Sequence, residues 1–233
     1  MLFPFVCIVF LLFGFLVSNT FLTELYGQQN GNYFTVNEKP YNKTFSEWAT
    51  NYWDFLFSFK NVDLIREGYT PAACTENQDG GPIWYLIDGS HDDDISKPDN
   101  RICNVPPGKS VMIQILGSHC TINDGIYTPE EYLNCAVWLN PSATISIKLD
   151  DIAIADTAVK SIYLEPVWTN FTIPDDAQGV DYKGKLKGMV AGYFLITKPL
   201  EKGSHTVEYS EKVGNLMDED KKYSYLNYTI NVG

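Results

Sequence analysis

From about residue 80 onward the chain is a succession of short β-rich runs, each closed by Gly, Pro, Asn or Asp, and this punctuation constrains the fold more than any other feature. Strands are expected at "PIWYLID" (82–88), "SVMIQIL" (110–116), "ATISIKL" (143–149), "VWTNFTI" (167–173), "MVAGYFLIT" (189–197), "HTVEYSE" (205–211) and "YSYLNYTINV" (223–232). Such runs, with no helices alternating between them, argue against a parallel α/β sheet. They predict a mainly β protein, an antiparallel β-sandwich of jelly-roll or immunoglobulin-like type. Aromatic residues at 14% of the chain favour strands in the same way.

Two helices are expected beside the strands. In "KTFSEWATNYWDFLFSFKN", Thr44 and Glu47 form a capping box, and Phe45, Trp48, Ala49, Tyr52, Trp53, Leu56 and Phe59 recur at helical spacing. This predicts an amphipathic helix over 44–59 whose aromatic stripe docks on the core. The second, shorter helix is "TPEEYLNCAVWL", with Thr128 as N-cap, Pro129 at its first position and Glu131 completing a capping box. It would carry Cys135 back toward Cys120. No repeat or low-complexity linker interrupts residues 44–233, so a single sandwich domain is expected there, after an extended linker over 28–43.

The segment before the linker, residues 1–27, reads as a signal peptide or an N-terminal membrane anchor. From Leu2 to Val17 every residue is apolar, proline or glycine, and the first basic residue is Lys39. Export decides how the cysteines are read. Apart from Cys7 in the apolar run, the chain has Cys74, Cys103, Cys120 and Cys135, an even set that points to two disulfides. Three pairings are possible. Sequential pairing, Cys74 with Cys103 and Cys120 with Cys135, is expected because each link closes a segment rich in turn residues. The absence of a CxxC argues against thiol redox chemistry and thiolate zinc sites. Sequons at Asn42, Asn170 and Asn227 are candidate glycosylation sites. With 17 basic against 29 acidic residues and a formal charge of -12, the chain is expected to avoid nucleic acid, and to meet a membrane only through an uncleaved first segment.

The pieces "FSEWATNYWDFLFS", "CTENQDGGPIWYLIDG", "RICNVPPGKSVMIQILGSHC" and "KPLEKGSHTVEYS" resemble a family of exported bacterial and archaeal proteins. That family combines a Trp-rich N-terminal helix with C…QxGPxWxL, RxCxVPxGK and LxxGxHT segments, and has no established activity. The resemblance implies an exported β domain in which Cys74 and Cys103 flank a variable loop. Here that loop, "DGSHDDDISKPDNRIC", is acidic where the family pattern has glycine and small residues.

That loop and the histidines are the candidate sites of chemistry. His91, His119 and His205 each follow Gly-Ser near a strand end. Converging imidazoles with an open position would suit zinc or copper. Asp92 and Asp94 would add oxygen ligands, and with Asp88, Asp93, Asp99 and Asn100 they make calcium a further candidate. The EF-hand spacing fails, because positions six and twelve are Asp93 and Asp99 counted from Asp88, and Lys97 and Cys103 counted from Asp92. The bland reading is an acidic, solvated loop partly neutralised by Lys97 and Arg101. No HExxH, GxSxG, His-x-His or phosphate loop occurs. The pairs Asp150/Asp151 and Asp175/Asp176, and the triplet Asp218, Glu219 and Asp220, fall where turns are expected. Trp84, Trp138 and Trp168 are expected in the core, with sugar stacking as the alternative. The sequence therefore predicts an exported, disulfide-bonded binding or structural module of the cell envelope rather than an enzyme, meeting an envelope protein or glycan. A metal-binding protein using the three histidines, and a carbohydrate-binding module, are the alternatives.

Overall fold

The computed structural model describes residues 31–89, 98–121, 128–137, 143–178, 183–213 and 222–233. Backbone contacts divide the chain into Met1–Tyr33 and Phe34–Gly233, and the helices and strands from Phe45 onward belong to the second unit. The two-residue strand β1 (Tyr33–Phe34) straddles the boundary.

Helix α1 (Phe45–Phe57) begins where its capping box places it. The Glu47 N–H donates to Thr44 Oγ1 at 3.3 Å, and the Glu47 carboxylate accepts from the Thr44 N–H at 2.7 Å. The expected stripe is buried, and so are Phe55 and Phe57, giving a face wide enough to roof a sheet. The residues expected as a linker contribute to this packing: the Trp48 indole donates to the Pro40 carbonyl at 2.9 Å. A short helix, α2 (Val62–Glu67), follows and was not legible as one.

The strands are β2 (Ile83–Tyr85), β3 (Asp99–Val105), β4 (Ser110–Thr121), β5 (Ala143–Leu149), β6 (Ile152–Ala153), β7 (Tyr163–Ile173), β8 (Gly184–Thr197), β9 (Gly203–Val213) and β10 (Lys222–Val232). Helix α3 (Pro129–Val137) and the short α4 (Asp156–Val159) lie among them. In the first sheet β8 lies between β4 and β7, and β2 flanks β4; the second runs β3-β10-β9-β5-β6. The two sheets pack against each other as a β-sandwich. β2 and β4 pair in parallel, as do β3 and β10, while β4/β8, β7/β8, β9/β10, β5/β9 and β5/β6 are antiparallel. The parallel pair β2/β4 arises because β3, in the other sheet, serves as the crossover that two parallel neighbours require.

Strand β3 was expected as part of an acidic loop and is a correction. Its side chains alternate, with Arg101, Cys103 and Val105 buried and Asn100, Ile102 and Asn104 exposed. The period of two was hidden because the first inward residue is an arginine. Arg101 does not neutralise loop carboxylates at the surface. Its guanidinium is buried, donating to the carbonyls of Ile87 (2.9 Å), Asp88 (2.9 Å) and Arg66 (3.0 Å), with Asp99 as counter-ion at 2.6 Å.

Two disulfides tie segments outside the sheets to their strands. Cys103 on β3 is bonded to Cys74, with Cα atoms 5.6 Å apart, and Cys120 on β4 to Cys135 on α3, 6.2 Å apart. Sequential pairing is thus the one found. The second link holds α3 on one face of the first sheet, where Tyr132 and Ala136 pack on Cys120, Met189 and Ala191. The opposite face carries the main aromatic core under α1.

Candidate ligand-binding site

A β-bulge in β4 builds the floor of the site. Gln114 stands opposite Phe194 and Leu116 opposite Tyr193, which leaves Ile115 as the extra residue. Even-numbered residues before the bulge and odd-numbered ones after it therefore share a face. Met112, Gln114, Gly117 and His119 stand opposite Ile196, Phe194, Gly192 and Val190, which line the α1 side of the sheet. Without the extra residue, one polar side chain and one imidazole would not meet on a face that is otherwise apolar.

One glycine of the cross-strand pair Gly117/Gly192 lines the space above this floor, and the other lets the two strands approach closely. A Cβ on Gly117 would lie 2.8 Å from the Gln114 side-chain amide, so Gln114 can lie along the strand only because Gly117 is bare. Its partner Gly192 has φ +142°, and a Cβ there would meet the Leu116 carbonyl oxygen at 2.4 Å. Above lie Trp53, Leu56 and Phe57 of α1 with Phe59 beyond it, and at the side Val62 and Arg66 of α2. These groups line a partly open cavity of ≈400 Å³, within the range of small-molecule sites.

Polar groups are few and specifically placed. Arg66 forks onto Asp88, Nε to Oδ1 and Nη2 to Oδ2, both at 2.8 Å, and its Nη1 reaches Asp63 at 2.8 Å. Burial opposes the charge on Arg66, but Asp88 more than offsets this and holds the guanidinium protonated. Asp88 is itself 8% exposed and is fixed from behind by Arg101, which grips its carbonyl. The Gln114 Nε2 points to Asp88 Oδ2 at 3.5 Å, which turns Oε1 the other way. That Oε1 and the Trp53 Nε1 are both buried and find no hydrogen-bond partner among the described residues. Beneath α1 the Tyr52 hydroxyl donates to the Leu86 carbonyl at 2.8 Å, and burial, then the Asp88 charge, pushes its ionisation far above the ordinary range.

The residues singled out in the sequence are dispersed. His119 lines the cavity, its ring centroid 4.2 Å from that of Trp53 and 5.2 Å from that of Phe57. His205 lies on the other sheet, with Nδ1 2.8 Å from Asp150 Oδ2 and Nε2 2.9 Å from the Glu201 carbonyl. It stands in register with Ile230, and through Ile230 with Cys103. Trp84, opposite Val111 at the far end of β4 from His119, points its indole N–H at Cys74 Sγ, 3.4 Å away. The two histidines thus sit at opposite ends of the sandwich and do not converge. His91, Asp92, Asp93 and Asp94 lie outside the described residues. Of the remaining loop oxygens, Asp88 holds Arg66, Asp99 holds Arg101, and Asn100 pairs with Asn227 at 3.2 Å. Among the described residues no group of three or more His, Cys, Asp or Glu is arranged to hold a metal ion.

Asp150 and Asp151 form a turn, both at positive φ between β5 and β6, and Asp150 caps the Thr206 N–H at 2.9 Å. Asp175 and Asp176 are exposed turn residues, and the triplet at 218–220 lies outside the described residues. Trp168 corrects the expectation of a core residue: it is 43% exposed, its ring held by Tyr132 (centroids 4.6 Å apart) and under Lys187 Nζ at 4.8 Å. Trp84 is half-buried and Trp138 is outside the described residues. Asn42 and Asn170 are exposed, and Asn227 is half-exposed. Among the described residues no helix is long and apolar enough to cross a membrane.

Sequence reasoning missed this cavity. A glutamine inside the apolar run "SVMIQIL" was its one signal. No protein-family model matches the chain, and no curated protein is significantly similar to it.

Proposed function

We propose that this chain works outside the cytoplasm as a disulfide-stapled binding module, with the cavity between α1, α2 and β4 as its binding site. The carrying observation is the cavity itself: a preformed space with aromatic walls beside the largely buried Arg66–Asp88 pair. The two disulfides, the apolar first segment and the acidic charge support an extracytoplasmic setting. The resemblance to exported proteins supports the same setting.

A fragment screen by ligand-observed NMR tests the reading. Val62 lines the cavity, so Val62→Trp would fill it, and hits on the wild type are expected to vanish in that variant while its disulfides stay intact. A screen without hits, or hits indifferent to Val62→Trp, would remove the cavity as the site.

A further inference from the structure

We infer that Asn170 carries an N-linked glycan and that the first sugar of this glycan packs on the exposed ring of Trp168. Such a glycan requires export of the chain, so the inference rests on the extracytoplasmic setting proposed above. It concerns the α3 side of the first sheet and not the cavity.

Strand β7 alternates at this point. Phe171 and Ile173 are buried in the core under α1, while Trp168, Asn170 and Thr172 are exposed on the opposite face. Asn170, Phe171 and Thr172 make up the sequon, so its acceptor amide and its hydroxyl stand side by side toward solvent. Among the described residues the strand neighbour of β7 is β8 alone, which leaves room beside Asn170 for a bulky substituent. The Asn170 side-chain amide makes no hydrogen bond among the described residues. The other two sequons are more committed. Asn227 Nδ2 donates to Asn100 Oδ1 at 3.2 Å, and Thr44, the sequon threonine of Asn42, caps α1.

Trp168 stands two residues before Asn170 on the same face, about 7 Å away along the strand. Its ring is 43% exposed and yet fixed, with Tyr132 against it at 4.6 Å between centroids and α3 tethered by the bond between Cys120 and Cys135. Lys187 stands opposite Asn170 in the register, and its Nζ lies 4.8 Å from the centre of that ring. A group rooted at the level of Asn170 therefore reaches the indole. A pyranose offers a face of C–H groups to an aromatic ring, whereas a lysine contact at an exposed site is weak and readily displaced.

The modification joins Asn170 Nδ2 to the anomeric carbon of a polyprenyl-phosphate-linked glycan. The bond from that carbon to the phosphate oxygen breaks with its electron pair staying on the phosphate, and the amide gives up one proton to the transferase.

The test uses the full chain isolated from fractionated cells of its own source and digested for glycopeptide mass spectrometry. A sugar mass on the peptide holding Asn170 is expected, and its loss in Asn170→Gln. If the protein is extracytoplasmic and this peptide is unmodified, the site fails while the setting stands. If the chain stays in the cytoplasm, the setting fails and the inference with it. Packing is read by urea unfolding of wild type, Trp168→Ala, Asn170→Gln and the double variant from the same cells. Trp168→Ala is expected to lower the folding equilibrium constant about threefold to tenfold more in the glycosylated chain than in the Asn170→Gln background. Equal losses in both backgrounds would overturn the packing. Acrylamide quenching of tryptophan fluorescence tests it without Trp168→Ala: quenching should rise in Asn170→Gln as the ring is bared, and unchanged quenching would also overturn the packing.

Discussion

The Arg66 guanidinium meets the Asp88 carboxylate through two parallel hydrogen bonds of 2.8 Å, tying helix α2 to the segment that follows β2. This pair forms one wall of the cavity, and Arg101 holds its carboxylate side in place by gripping the Ile87 and Asp88 carbonyls. The cavity therefore depends on a chain of two arginines rather than on apolar packing alone.

Arg66→Ala leaves the Asp88 carboxylate buried without its partner. Because the Arg66 and Asp88 side chains are 18% and 12% exposed, the loss is expected below that of a fully buried pair, at about 2–3 kcal/mol. Urea unfolding measures it, and a loss under about 0.5 kcal/mol would contradict the role given to the pair.

Arg101→Lys is expected to be almost as damaging as Arg101→Met. The guanidinium serves three carbonyls and one carboxylate from a fixed planar fork, and a lysine ammonium cannot reach all of them. Losses of about 3 kcal/mol or more are expected for both, by the same unfolding measurement. Full rescue by lysine would show that charge alone matters.

Gly117, which lines the cavity, and its cross-strand partner Gly192 should respond differently to an added methyl group. Gly117→Ala displaces the Gln114 side chain, which can rotate, so stability falls by about 1 kcal/mol while affinity for cavity ligands falls further. Gly192→Ala places Cβ against the Leu116 carbonyl at a positive φ, and neither can move without breaking the ladder. A loss above about 3 kcal/mol is expected there, read as a drop in thermal midpoint.

His205 gives the second sheet a pH dependence of defined sign. Partial burial pulls its ionisation down, but the hydrogen bonds to Asp150 and the Glu201 carbonyl prevail, and the net shift is upward. The protonated imidazole is thus favoured in the folded state. Its stabilisation is present in full below the unfolded value near 6.5 and is lost as pH rises through the folded one. With Asp150 37% exposed, the effect is expected to stay under about 1 kcal/mol. Stability measured from pH 5 to 9 should flatten in His205→Gln; an unchanged profile would assign the dependence elsewhere.

Replacing Cys120 and Cys135 by serine should cost about 3 kcal/mol, as for a closed loop of 15 residues. The more telling readout is local. Helix α3 should become the first site of limited proteolysis while the α1 face of the sheet stays protected.

Much of the architecture could be read from residue patterns, and the cavity could not, for definite reasons. "ATISIKL" alternates cleanly and forms β5 over the expected residues, and Thr44 with Glu47 starts α1 where it should. Strand β3 escaped because Arg101 occupies an inward position, and an inward arginine is readable only when its carbonyl partners, distant in sequence, are known. The parallel pairings escaped because alternation gives a strand's faces and not its direction. Gln114 was visible as a polar residue in an apolar run, but the bulge that aligns it with Gly117 and His119 follows from register, not composition. The histidines drew attention through a shared Gly-Ser prefix, a feature of turns that carries no information about distance in space.

Strand β10 occupies the slot between β3 and β9. A polypeptide emerging from a ribosome or a translocon N-terminus first therefore delivers β3 long before the strand that will cover its inner edge. Until Lys222–Val232 arrives, β3 and β9 both present open hydrogen-bonding edges, and the bond between Cys74 and Cys103 can form before the sheet around it exists. Biogenesis of this protein thus sets a race between thiol oxidation and the last strand, in which an early covalent tether keeps β3 anchored while it waits.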